Sequence, residues 1–188
     1  MSVDKLPSTN NIRSNNLQLL RHLGVIKEVL NAFDQEYDYI FIDSHPEVSD
    51  VLRAIIFASD YIVSPVKLDR QSSIGVATII AEMNNVNADV EMMRRGLQQD
   101  IGYIYTIFAG TMGMMAREYN SLKQSEVIEY NRLRHAGPIF DWYVTEGDGL
   151  RQAAAARVPV FDISGANAQK QSHHFRELTN EFLRRCPP

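Results

Sequence analysis

Between residues 37 and 66 the chain reads strand, helix, strand, and no other feature restricts its fold as much. Tyr37-Asp38-Tyr39-Ile40-Phe41-Ile42-Asp43 is a β-branched and aromatic run that closes on an acid and is followed by a turn, Ser44-His45-Pro46. Apolar side chains fall on both alternating faces, which predicts a strand buried on both sides. Residues 49–58 carry apolar positions at helical spacing, and residues 60–66 form a second strand stopped by Pro65. Parallel neighbours need a long crossover, and such crossovers are helical. The pattern therefore predicts a parallel sheet with helices on both faces.

The rest of the chain continues this rhythm. Leu17, Leu19, Leu20, Leu23, Ile26, Val29, Leu30 and Phe33 recur at three- and four-residue steps, giving a helix over residues 15–33. Helices follow at 73–83 and 90–97, on either side of the polar stretch Asn84-Asn85-Val86-Asn87. A third strand is expected at 101–108, a long helix at 115–134 and a fourth strand at 139–144. A helix at 149–156, a strand-like piece at 158–161 and a closing helix at 168–185 complete the chain. With 45% hydrophobic and 22% charged residues, the 188 residues can build a real core, and a single α/β domain over 1–188 is expected. No apolar stretch reaches the ~20 residues of a membrane-spanning helix, which predicts a cytoplasmic protein without membrane association. Cys186 is the one cysteine, so disulfide and multi-cysteine metal chemistry lack ligands. The formal net charge of −4 restricts nucleic-acid contact to a local basic patch.

In doubly wound sheets, functional groups gather beyond the carboxyl ends of the strands, which directs attention to Asp43. An apolar strand closing on aspartate is the Walker B arrangement, in which the carboxylate holds Mg²⁺ beside a nucleotide's phosphates. The same pattern also arises where an acid simply caps the next turn. The longer stretch is more specific. Tyr37 through Pro46, then a helix, then Ala58-Ser59-Asp60-Tyr61-Ile62-Val63-Ser64-Pro65-Val66, then Ser73-Ile74-Gly75, closely resembles the central block of the ParA/MinD (Soj-like) family of deviant Walker P-loop ATPases. Leu6-Pro7-Ser8, Gly102 to Thr106, Val144-Thr145 with Leu150 to Val160, and Phe175-Arg176-Glu177-Leu178 extend the resemblance over nearly the whole chain.

The resemblance implies a P-loop NTPase-like fold and an ATP·Mg²⁺-dependent homodimer that acts in plasmid or chromosome partitioning. Non-specific DNA and a ParB-like stimulating protein would be its partners. Asp43 would be the catalytic, Mg²⁺-side acid and Ser44-His45-Pro46 the segment sensing the terminal phosphate, with Thr106 and Thr145 lining the base pocket. The family's K-G-G-x-G-K-T/S phosphate loop has no counterpart among these residues. The expected fold therefore lacks the first strand and that loop, as in an N-terminally shortened form. Exposed apolar edges, reduced stability and negligible hydrolysis by this polypeptide alone should follow. His45 replaces one proline of the family's usual Pro-Pro, and Glu146 stands where the family has an arginine.

Plainer readings stand beside these. Asp43-Ser44-His45 has the letters of a nucleophilic triad, but neighbours at a strand end point in different directions. His173 and His174 are adjacent on a helix and cannot converge on one ion. Gly110-Thr111-Met112-Gly113-Met114-Met115 reads as a methionine-rich turn, serving core or interface. Arg117, Lys123, Arg132 and Arg134 share their helix with Glu118, Glu126 and Glu129, an ordinary mixed-charge face. Two alternatives stay open: a catalytically silent ParA-like binding or regulatory module, and an unrelated flavodoxin-like α/β domain whose acid only mimics Walker B.

Overall fold

Helix α2 (Asp50–Ala58) starts where Ser49 turns its hydroxyl onto the backbone, Oγ accepting from the Leu52 amide at 3.2 Å. Around such local signals the computed structural model describes residues 9–45, 47–98, 103–115 and 121–188, with side chains from residue 18 onward. The other helices are α1 (Thr9–Asn31), α3 (Arg70–Leu97), α4 (Gln124–Ala136), α5 (Asp148–Ala156) and α6 (Ala166–Arg185). Strands β1 (Tyr61–Lys67), β2 (Ile107–Met115) and β3 (Val144–Thr145) form a three-stranded parallel sheet in the order β1-β2-β3. Met114 and Met115 pair with Val144 and Thr145. The architecture is α/β, as the sequence implies. Among the described residues no helix is long and apolar enough to cross a membrane.

The contacts gather into two compact units, one of Met1–Asp60 with Ala81–Ile107, the other of Tyr61–Ile80 with Phe108–Pro188. In the first, α1 packs on α2, with Leu23, Leu52, Ile56 and Phe57 buried. Two helices were expected within residues 73–97, yet α3 is continuous. Met83, Val86, Val90, Met93 and Leu97, all buried, recur at three and four residues and carry one apolar face straight through the asparagines. Asn87 is consumed locally: its Nδ2 donates to the Thr106 carbonyl at 3.0 Å, and its Oδ1 accepts from Tyr103 at 2.8 Å. Arg53 joins α2 to α3 through Glu82 and Asp89. Burial opposes its charge, but the two carboxylates outweigh that and hold the guanidinium above its ordinary pKa.

The expected strand at 37–43 is the main departure. Residues 39–45 form neither helix nor strand, and Phe41 is 77% exposed. High β propensity makes a strand only where a neighbour supplies the ladder. Apolar exposure occurs on this segment and also on β2, where Ile107 is 54% and Met114 37% exposed.

The strand expected at 101–108, of which residues 101 and 102 lie outside the described residues, is observed from Ile107 onward, and the glycine–methionine stretch is part of this β2 rather than a turn. Gly110 has φ +146°, and a Cβ there would come within 3.0 Å of both the Phe140 ring and Arg185 Nη1. Phe108, Ala109, Thr111 and Met115 are buried. The expected helix at 115–134 shortens to α4, whose start is set by Glu126 accepting from the Lys123 amide at 2.6 Å; residues 116–120 lie outside the described residues. The fourth strand is reduced to a bridge between Thr111 and Ile139, then β3. The amides of Asp141 and Trp142 instead donate to Glu181 on α6, at 2.9 and 3.0 Å. Glu181 is buried and paired with Arg185 at 2.6 Å. Arg185 also donates to the carbonyls of Ala109 and Ile139 and lies over the Phe140 ring. Phe140, Val144 and Leu178 centre this core, and the strand-like piece at 158–161 is largely a short 3-10 turn at Val160–Asp162.

Replacing Glu181 by glutamine should lower unfolding stability in urea by about 3 kcal/mol, because a buried partner of Arg185 and of two amides loses its charge. Thr106→Val should cost about 1 kcal/mol in the same assay, through the hydroxyl now held between the carbonyls of Ile56 and Ser59.

Candidate functional site

The carboxyl ends of the sheet strands lie in the second unit, and Lys67 closes β1 there. The Glu146 amide donates to the Met115 carbonyl at 2.9 Å, continuing the β2–β3 ladder one residue further and fixing Glu146 at the sheet's end. Its carboxylate meets Lys67 Nζ at 2.9 Å. Hydrogen bonding to Glu146, with its charge, holds the Lys67 ammonium above its usual pKa. A cleft of about 400 Å³ opens beside this pair, lined by Lys67, Met114, Glu146, Leu150, Arg151 and Ala154. Helix α5 is placed over it by Gln171, whose Oε1 accepts from the Leu150 amide at 3.0 Å and whose Nε2 donates to the Thr145 carbonyl at 2.9 Å. Gly149 permits that contact, since a Cβ there would sit 2.4 Å from Gln171 Oε1.

The residues singled out from the sequence fall in different settings. Asp43, Ser44 and His45 are exposed on the segment that leads into α2, in the first unit; Pro46 lies outside the described residues. Thr106 is buried in the same unit and precedes β2 rather than ending a strand. Its hydroxyl lies 2.7 Å from the Ile56 carbonyl and 3.0 Å from that of Ser59, so it secures the end of α2. Thr145 ends β3 in the second unit, as expected for the fourth strand, and is buried beneath Gln171. Lys67 and Gln171 escaped the sequence reading. Lys67 had a signal, its place directly after Pro65-Val66 at a strand end; Gln171 had none, because its role depends on α6 meeting α5 in space.

An exposed carboxylate such as Asp43 is a suitable oxygen donor to Mg²⁺. The remaining set does not fit a complete nucleotide site. Thr106 spends its hydroxyl on α2, Glu146 neutralises Lys67 at the strand ends, and among the described residues no group of three or more His, Cys, Asp or Glu converges to hold a metal.

Comparison with known proteins agrees with the resemblance seen in the sequence. The AAA_31 family model, described as an AAA domain, matches residues 2–97, a span that contains the whole of residues 37–75. Two Escherichia coli proteins, each named Protein IncC, are similar over most of the chain. One is 20% identical over 166 residues, covering 87% of this chain and 42% of the relative. The other is 26% identical over 152 residues, covering 78% and 36%. The chain thus spans about two-fifths of the length of these curated relatives. The family match over half of the sequence, carried on an α/β fold with a parallel sheet, places the chain in the AAA-domain family of ParA/MinD-like P-loop proteins.

Proposed function

We propose that this chain belongs to a ParA-like DNA-partitioning apparatus and acts in the cytoplasm, with the response to nucleotide a property of the complete system. The observation that carries this reading is the family match over residues 2–97, which includes the acid-terminated run Tyr39-Ile40-Phe41-Ile42-Asp43. In this reading Asp43 is the Mg²⁺-side carboxylate, and Ser44-His45-Pro46 is the segment that reports the state of the terminal phosphate to α2. Ser49 fixes the start of α2, so a change in the preceding residues is passed to that helix at its cap. Thr145 belongs to the base-side wall, and the neighbouring cleft beside Leu150 offers an apolar surface. ATP with Mg²⁺ would supply charge-coupled switching to the complete system; homodimerisation, non-specific DNA and a ParB-like stimulating protein complete the proposed cycle.

No hydrolytic step is assigned to these residues. The cation at the end of β1 is already matched by Glu146. That pairing favours a second reading, a catalytically silent module that works through binding.

Deleting the coding sequence from a replicon that carries it should raise the loss of that replicon severalfold over generations; unchanged inheritance would overturn the partition role. Calorimetry of the chain with ATP and Mg²⁺ should give a Kd weaker than about 1 mM. Micromolar, Mg²⁺-dependent binding that disappears in Asp43→Ala would instead show that these residues hold the nucleotide themselves.

A further inference from the structure

Lys67 and Arg151, which line the cleft at the end of the sheet, each carry an acid from one short turn, Glu146-Gly147-Asp148. Lys67 Nζ lies 2.9 Å from Glu146, and Arg151 lies 3.1 Å from Asp148. The backbone of the turn is held in place. The Glu146 amide donates to the Met115 carbonyl, and Gln171 spans the turn from the Thr145 carbonyl to the Leu150 amide. Gly147 lies directly against Gln171, since a Cβ there would stand 2.6 Å from Nε2. The side chains themselves reach water: Glu146 is 45% and Asp148 68% exposed, and Lys67 and Arg151 are 63% and 81% exposed. Ion pairs this open contribute little to folding, and each acid can rotate away without disturbing the backbone that carries it.

The cleft, at about 400 Å³, has the volume of a small-ligand site, and Met114, Leu150 and Ala154 give it apolar walls. With both acids turned outward, two cations border an apolar surface, which suits an organic anion whose body rests on the walls. With the acids in place, the same anion meets like charge and finds its donors engaged. The number of cations selects the kind of anion. A lone carboxylate can replace only one resident carboxylate and gains nothing by doing so. A phosphate, with up to two charges and three acceptor oxygens, can answer both cations at once. We propose that Glu146 and Asp148 are built-in competitors at an anion site in this cleft, and that its ligand is an organic phosphate with an apolar body that must displace them to enter. The inference uses neither Asp43 nor Mg²⁺, so it stands or falls separately from the partition reading.

The test is calorimetry of the full chain without magnesium, with ATP as the organic phosphate and tripolyphosphate as a comparable charge without the body. The unaltered chain should bind ATP with a Kd above about 1 mM. Glu146→Gln should tighten ATP severalfold, and Glu146→Gln with Asp148→Asn about tenfold, a gain that shrinks severalfold as salt rises from about 0.05 to 0.5 M. Adding Lys67→Met to the double variant should remove most of the gain. Adding Met114→Thr instead should weaken ATP severalfold and leave tripolyphosphate unchanged, because Met114 belongs to the apolar wall. Circular dichroism should match across the charge variants, whose altered side chains are all exposed. Unchanged affinity after both acids are neutralised, a gain that survives Lys67→Met, or equal weakening of ATP and tripolyphosphate by Met114→Thr would overturn the proposal.

Discussion

The carboxylate of Glu181 organises the second unit from one end of α6. It accepts the amides of Asp141 and Trp142, which would otherwise seek a sheet partner, and it neutralises Arg185 one helical turn later. Arg185 in turn reaches the carbonyls of Ala109, on β2, and Ile139, on the approach to β3. A buried charge is tolerated only when its partners are supplied, and here each group supplies the other while both tie backbone from separate segments to one helix. The parallel pairing of Met114-Met115 with Val144-Thr145 follows downstream of that clamp, and the end of the sheet with Lys67 and Glu146 follows from the pairing.

Much of this was legible in the sequence because it is periodic. The α2 segment, β1, α5 and α6 lie where apolar spacing puts them, and the parallel sheet follows from helices alternating with strands. What escaped was set by distant partners. Residues 101–108 have the composition of a strand, yet β2 begins at Ile107, since Thr106, Tyr103 and Asn87 form a hydrogen-bonded group before it. The asparagines of α3 look like a break until Val86 and Val90 are seen to be buried on the same face. The fourth strand looked longer because nothing in residues 139–144 reveals that Glu181, some forty positions later, takes their amides.

The candidate site divides along the same line. Asp43 was found from its local pattern, and its exposure suits a role that needs access. Thr106 was chosen for its place in an expected strand, and its hydroxyl is engaged in structure once the strand shifts. Glu146 stood out as a departure from the family's arginine, and its geometry gives that departure a physical meaning: it converts the end of β1 from a lone cation into a neutral pair. Such a pair attracts a polyphosphate far less than a lysine alone would.

The close approach at Gly110 has a consequence for how this sequence can drift. Phe140 and Arg185 both press on the position where a side chain would begin, and Arg185 is held there by Glu181. A methyl group at 110 therefore displaces the ring, the ring displaces the guanidinium, and the carboxylate behind it loses its counter-ion. Among descendants of this chain, positions 110, 140, 181 and 185 are free to change only in concert, so substitutions there should be inherited as a set while the surrounding surface varies one residue at a time.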